Sequence, residues 1–367
     1  MVCTCLALSG FSQSTPKYSN EFLFVGVGGK AFGMSQAVVA GVDDVTAGYW
    51  NPAGLVHLDN KIEVSYMHSN YFAGIANYDY GGLAFSAGDN SVMAVSFVRM
   101  GVDGIPNTLD VRKNGQFDYD LITEFSAVDY SFLFSYAQKL LKKGLSVGGN
   151  AKIIRRKAGQ FASAWGFGVD AALQWKRDNG WNFALVARDV TSTFNAWNFT
   201  FTDAQKDVLT QQNQELPKNS LEITLPRLIL GASKKWNLGE KYSLLSEINA
   251  DLTTDGKRNT LLRTNAVSID PHMGIQLGYS DAVFLRGGIG NIQKVSDIDD
   301  KELWSVQPNV GVGIELDKFA LDYAMANVAS TAATNYSHVF SIRFKINSNE
   351  NKDQRSNSPS NEQQPQE

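Results

Sequence analysis

From residue 60 onward apolar side chains recur at every second position. In "ASAWGFGVDAALQW" (162 to 175), Trp165, Phe167, Val169, Ala171, Leu173 and Trp175 alternate with Gly166, Gly168, Asp170, Ala172 and Gln174. A period of two is the mark of a β-strand, whose successive side chains point to opposite faces. The alternation returns in "AVDYSFLFSYAQ", where Val128, Tyr130, Phe132, Phe134 and Tyr136 oppose Asp129, Ser131, Leu133 and Ser135. It recurs in "LSVGGNAKII", "YSLLSEINADL", "HMGIQLGY", "WSVQPNVGVGIEL" and "FALDYAM". The last instance is "HVFSIRFKI", with Phe340, Ile342, Phe344 and Ile346 opposite Val339, Ser341, Arg343 and Lys345. About fourteen segments of this kind can be marked along the chain.

What the apolar faces touch decides the fold class. In a soluble sandwich they would meet a packed core. Here the apolar face of residues 162 to 175 begins and ends in Trp, as in a strand that crosses a bilayer with rings at both interfaces. No run approaches the roughly 20 apolar residues of a spanning helix. With 43% hydrophobic and 19% charged residues among 367, the average composition resembles that of a soluble protein. Barrel strands escape that test because half of their residues face the lumen. The 32 glycines against 9 prolines suit long twisted strands. A propeller would repeat one blade motif at a fixed period, and none is found.

The joins between segments alternate in length. Tight ones fall at 88 to 90, 139 to 144, 177 to 180, 237 to 241, 280 to 281 and 317 to 318. Longer ones are expected at 101 to 125, 157 to 163, 190 to 225, 254 to 263, 291 to 302 and 328 to 336. Membrane barrels show this parity, with short periplasmic turns and longer outer loops. The expectation is therefore an all-β chain: a transmembrane antiparallel β-barrel of about fourteen strands over residues 57 to 346, with an N-terminal plug. Charges on the polar faces, including Asp129, Lys152, Asp170, Arg188, Glu247, Asp251, Arg286, Glu315, Asp322 and Arg343, are too costly to point at lipid and should pair in the lumen.

Outside the barrel pattern lie three other segments. Residues 1 to 13 hold both cysteines, Cys3 and Cys5, and an apolar stretch ending in Gly10-Phe11-Ser12, read as a truncated signal peptide. Residues 347 to 367 are polar and read as a disordered periplasmic tail. Residues 22 to 56 break the period-two rule and are crowded with Gly and Ala, which suits a compact insert inside a barrel. Within them, Gly33-Met34 and "DDVTAGYWNPAGL" (43 to 55), with Asp43, Asp44, Trp50, Asn51 and Pro52, resemble the N-terminal signature of the PorV/PorQ outer-membrane proteins of Bacteroidetes, relatives of the FadL-type transporters.

The resemblance implies two roles. A PorV-like protein is an accessory of type IX secretion that binds the translocon barrel and the C-terminal domains of secreted clients. A FadL-like protein takes up a hydrophobic ligand and releases it sideways into the membrane. Outer-membrane lipid surrounds either one. Phe194, Trp197, Phe199 and Phe201, close together in the expected outer loop 190 to 225, are the candidate partner-binding residues.

No catalytic, metal or cofactor site can be assembled from the sequence. The four histidines, His57, His68, His272 and His338, form no i, i+4 pair, and no nucleophile elbow or phosphate loop occurs. The reading is a protein that is not an enzyme. A net charge of -4 argues against a nucleic-acid partner.

Overall fold

The structure, a computed structural model, describes residues 19–71, 74–113, 116–211, 213–296, 302–326 and 337–348. The leader expected over 1 to 13 lies outside the described residues, as does the expected tail beyond Ser348.

The fold is the closed antiparallel barrel of fourteen strands that the alternation implies. In chain order these are β1 (Asn60–Tyr71), β2 (Ala76–Ser86), β3 (Ser91–Asn107), β4 (Thr123–Lys139), β5 (Leu145–Ala158) and β6 (Ala162–Lys176). Next comes β7, in two segments (Trp181–Arg188 and Thr193–Phe199), and β8, also in two (Ser220–Thr224 and Arg227–Leu238). Then follow β9 (Tyr242–Thr253), β10 (Ser268–Tyr279), β11 (Val283–Ser296), β12 (Glu302–Glu315), β13 (Phe319–Ala326) and β14 (Ser337–Ser348). Each strand pairs with its chain neighbours, and β1 pairs with β14 to close the sheet, for example Val64 opposite Phe344. Closure leaves no free edge, which is what allows a sheet to sit in hydrocarbon.

The two faces sort as the alternation requires. On β6, Trp165 is 52% exposed on the outside, whereas Asp170 is 4% exposed on the inside. The outward positions of β4 (Phe132, Phe134, Tyr136), β12 (Val306, Val310, Val312, Ile314) and β14 (Phe340, Phe344, Ile346) are exposed. The inward Ser131, Ser135, Asp322, Ser341 and Arg343 are buried. So large an apolar exterior is stable only in lipid, and the protein is an outer-membrane protein.

All six tight joins lie on one rim, assigned to the periplasm. The opposite rim corrects the expected loop lengths. The join expected over 157 to 163 is tight, only 159 to 161, because β5 runs to Ala158 and β6 starts at Ala162. The loop expected over 101 to 125 shrinks to 108 to 122, and that over 190 to 225 to 200 to 219, which carries a helix, α1 (Asp203–Gln211). The physical reason is that strand ladders continue above the bilayer. There no lipid enforces alternation, so the hydropathy pattern fades while the backbone pairing persists.

Residues 19 to 58 run through the lumen as short turns: Glu21–Phe24 and Pro52–His57 are 3-10 helices, Gly29–Gly33 and Ala47–Trp50 single helical turns. Val27, Phe32, Met34, Val39 and Leu55 are fully buried there, so the hydrophobic core sits inside the barrel around this segment.

Candidate functional site: the lumen segment and the interrupted wall

Many lumen-segment backbone groups that do not bond within the segment find side-chain partners on the wall. Glu247 of β9 accepts from the backbone N–H groups of Ala40 (2.6 Å) and Gly41 (3.0 Å), and Glu63 of β1 accepts from Val45 (2.9 Å). Gln174 of β6 donates to the carbonyls of Ala40 (2.8 Å) and Val42 (3.2 Å). These bonds replace water for peptide groups that are not in regular structure.

The signature residues are placed by local chemistry. Asn51 caps the 3-10 helix by accepting from Ala53 N–H (3.1 Å) and donates to the Val39 carbonyl (2.7 Å). Pro52 takes the first helical position, where a missing N–H costs nothing. Trp50 donates to the Val27 carbonyl (2.9 Å). Asp43 lies 3.3 Å from Lys176 and 3.5 Å from Lys30. Asp44 meets Arg343 at 3.0 Å and Lys30 at 3.5 Å. Burial pushes the Asp44 carboxyl up, but Arg343 and Lys30 outweigh it and hold its pKa below the ordinary value.

The inward charges pair as ion clusters. Arg343 is ringed by four carboxylates: Asp44, Glu315 (3.6 Å), Asp322 (3.8 Å) and Glu63 (3.8 Å). Arg286 binds Asp322 at 2.6 Å. At the end of the lumen segment His57 is pushed down to about 3 by burial and by the nearby Lys176 and Lys139, and its Nε2 has no hydrogen-bond partner. Because the folded value lies below the unfolded one, the folded state binds fewer protons. Stability that is full above about pH 6.5 should fall as pH drops toward 3, since the unfolded chain gains the proton first. A His57→Asn variant should lose this component of the acid response in a denaturation series run from pH 7 to about 4; a parent and variant with the same pH slope would refute it.

The wall is interrupted at one place. Ala171 of β6 faces Ala187 of β7, but Phe167 faces Phe194, so three residues of β6 (168 to 170) oppose six of β7 (188 to 193). On the other side Arg227 faces Arg188 and Thr224 faces Thr193, leaving Leu225 and Pro226 of β8 opposite 189 to 192. Asp189 and Ser192 take left-handed backbone angles (φ 56° and 57°), and Pro226 has no N–H to extend the ladder. Val190 turns outward, whereas Asp189 is buried.

Inside the break sits a compact ion cluster. Lys152 binds Asp170 at 2.7 Å and also Asp189; Asp170 accepts from the Asp189 N–H (2.8 Å) and from Asn150 (3.2 Å); Thr193 donates to Asp189. A Cβ on Gly168 would fall 1.8 Å from Thr193 Oγ1, so only glycine lets the strand close over the cluster. The lumen segment is fastened here too. Arg188, the last residue before the break, donates to the carbonyls of Tyr49 (3.1 Å) and Leu23 (3.4 Å) and lies over the Tyr49 ring at 4.8 Å. Asn20 donates to Thr224 and accepts from Asn195, each at 2.9 Å.

Beside the break, toward the outer rim, a cavity of about 250 Å³ separates the lumen segment (Phe24, Phe32, Gln36) from Arg227, Asp251, Asp270 and His272 of β8 to β10. A second, of about 390 Å³, opens on the periplasmic side around Lys30, Asp44, Glu63, Glu315 and Arg343. Both are lined mostly by charged and polar groups.

The aromatic residues expected on an outer loop are mostly in the wall. Phe194, Trp197 and Phe199 belong to the second segment of β7, paired with β6 and β8, and only Phe201 follows it. Phe194 faces outward and packs on Phe167, whereas Trp197 and Phe199 point inward and stack on each other (6.0 Å), with Arg156 over Trp197. Phe201 stacks on Phe161. The four rings therefore form no single exposed cluster: strand pairing sends neighbours to opposite faces. The break itself was not foreseen, although "RDVTST" and "LPR" contain its polar run and its proline.

No family model and no curated protein matches the sequence. Solved structures do. The monoaromatic hydrocarbon channel CymD is 12% identical, with 88% of this chain and 98% of that chain covered, at a TM-score of 0.54. The toluene transporter TodX of Pseudomonas putida is 11% identical over 87% and 96% of the two chains, at 0.50. A Pseudomonas aeruginosa FadL homologue is 13% identical over 86% and 97%, at 0.49. CymD and TodX share the barrel fold with this chain. CymD is named as a channel and TodX as a transporter.

Proposed function

We propose that the protein is a FadL-like uptake channel, through which a lipophilic small molecule enters at the outer rim and leaves sideways into the membrane at the β7 break. The observation that carries this reading is the interruption at 189 to 192, where the ladder between β6 and β7 is reduced to one backbone bond, from the Val190 N–H to the Val169 carbonyl (2.9 Å). Its inner side is held by side chains, Lys152, Asp170 and Asp189, and by lumen residues 20 to 24. Side chains can rotate away, so opening here breaks the single Val190–Val169 backbone bond, whereas a continuous ladder would have to break several. Arg188 links the two parts, so movement of Tyr49 and Leu23 loosens the residue that begins the break. The structures similar to this chain, named as hydrocarbon channels and transporters, support the same reading.

The type IX secretion role suggested by the N-terminal signature has weaker support. No comparison points to PorV/PorQ or to a translocon or client partner, and Asp44, Trp50, Asn51 and Pro52 are buried in the lumen, where they stabilise the segment itself.

Deleting residues 190 to 192 tests the passage. It removes the three extra residues relative to β6 and should yield a continuous strand. Influx of a naphthylamine dye that fluoresces in hydrocarbon, measured in proteoliposomes, should then fall about tenfold or more while the heat-modifiable band persists. Unchanged influx through a folded barrel would remove the sideways route.

A further inference from the structure

On the wall opposite the β7 break, a trough and a polar cluster face the lipid. The trough is a cavity of about 350 Å³ on the outer side of β12, β13, β14 and β1. Two rows of outward side chains, in register across the four strands, bound it: one runs from Tyr66 to Ile314, the other from His68 to Val312. Between the rows the side chains point into the lumen, so the backbone at Gly313, Asp322 and Ser341 forms the floor.

At its β1 end the trough meets charge. Asp79 of β2, outward and paired with His68, accepts from Tyr66 (3.0 Å) and from Arg99 of β3 (3.1 Å) and lies 2.8 Å from His68 Nδ1. A carboxylate and a guanidinium on the lipid side are costly at mid-depth and cheap only near an interface. Ser91 to Arg99 climbs about 20 Å at ~3.3 Å per residue and a tilt of ~40°, against an apolar band ~25 Å tall. Arg99 leans farther out, since a Cβ on Gly101, nearer the outer rim, would fall 2.9 Å from one of its terminal nitrogens. The cluster therefore stands at the outer boundary of the hydrocarbon. Val312 to Glu315 spans only about 8 Å by the same measure, so the trough slopes from that boundary down into the membrane at β12.

Asp79 engages one nitrogen of Arg99, whose side chain is 27% exposed. More cations stand beside it. Tyr130 of β4 pairs with both Arg99 and Arg155 of β5, and Arg155 lies over the outward Trp165 ring (4.8 Å), with the exposed Lys157 at the next outward position. Asp103 and Glu124 are exposed farther out on β3 and β4, beyond the apolar band. At the boundary itself Arg99, Arg155 and Lys157 face the single carboxylate of Asp79. An apolar trough that slopes inward from a cationic edge fits an amphiphile with an anionic head. Phosphate matches donors on separate strands better than a carboxylate does, because it presents three oxygens.

We propose that this face binds a phosphorylated lipid of the outer leaflet, with its phosphate on Arg99, in the field of Arg155 and Lys157, and one acyl chain in the trough. The site rests on the barrel's place in the outer membrane and not on the uptake reading.

Native mass spectrometry of the full chain in a neutral detergent tests it by counting bound lipid. The probes are diphosphoryl lipid A, the same lipid stripped of phosphate, and myristate; the variants are Arg99→Gln and Gly81→Phe. Gly81 is the outward residue paired with Tyr66, and a Cβ there would meet no other atom within 4 Å, so the new ring enters open space at the mouth of the trough. The parent should bind the phosphorylated lipid about tenfold more tightly than Arg99→Gln does, while the phosphate-free lipid binds both alike. Gly81→Phe should weaken both lipids, with its heat-modifiable band intact. Lys234→Gln, which removes a cation near the periplasmic end of β8, should bind like the parent. Equal binding of the phosphorylated lipid by parent and variants overturns the proposal, as does an Arg99→Gln loss that is the same without phosphate. Myristate binding as tight and as dependent on Arg99 as that of the phosphorylated lipid overturns it too. Should Arg99→Gln fail to fold, the parent's preference for phosphate and the loss in Gly81→Phe decide, and the absence of either overturns the site.

Discussion

A Gly148→Val barrel should leak. Gly148 lies on β5 beneath the 3-10 helix of the lumen segment, and a Cβ there would fall 2.5 Å from Ala53 N and 2.5 Å from the Pro52 carbonyl carbon. Both are backbone atoms, so no side-chain rotation can relieve the contact. Ser146, two residues earlier on the same strand, holds the Ala53 carbonyl at 2.9 Å, which shows how closely this turn is seated. Overpacking of this kind costs about 1–3 kcal/mol. The cost falls on the seated state and not on the barrel ladder, whose backbone bonds are untouched. An equilibrium shifted by about 1–3 kcal/mol changes about 5- to 150-fold, so the open fraction should rise by that order. Single-channel conductance in planar bilayers, with heat-modifiability as the control for folding, measures it. A folded variant as silent as the parent would show that the turn can shift without opening a path.

The second large effect is expected at Arg343. Its guanidinium stands among Asp44, Glu63, Glu315 and Asp322, and joins β14, the strand that closes the barrel, to the lumen segment. Arg343→Gln keeps much of the size and some of the donors but takes the cation from Glu63 and leaves Asp44, Asp322 and Glu315 with one cation each, Lys30, Arg286 and Lys345. Removing one partner of a buried pair costs about 3–5 kcal/mol, far more than the pair adds over an apolar substitute. The urea midpoint should drop accordingly. Adding Asp44→Asn should restore part of the loss by removing one negative charge from a cluster short of cations, and a double variant no better than the single would show that the two groups do not interact.

How much of this was legible varies with the kind of interaction. Strand number, the lipid-facing side of each strand and the periplasmic turns follow from alternation, because bilayer and lumen impose opposite solvents on consecutive residues. That logic stops at the membrane edge. The outer strands outrun the expected loops by several residues at Asn107 and Thr123, where pairing continues in water and no longer needs an apolar face. Phe194 and Trp197 misled for the same reason: in a loop they would share a surface, whereas on a strand their odd spacing sends them to opposite sides.

The site depended on contacts that sequence separation hides. Lys152 and Asp170 lie on neighbouring strands and Asp189 in the break of a third, and nothing in their spacing says that one ammonium serves two carboxylates. Asn51-Pro52 announces a capped turn wherever it occurs, but that this turn rests on Gly148 is a fact of threading the lumen. By itself, then, the sequence determined the solvent on each side of the wall, since transfer free energy acts residue by residue. Only the tertiary structure decided where that wall is interrupted and which charges from distant parts of the chain close the break. Register and buried pairing are properties of strands brought together, and no single strand carries them.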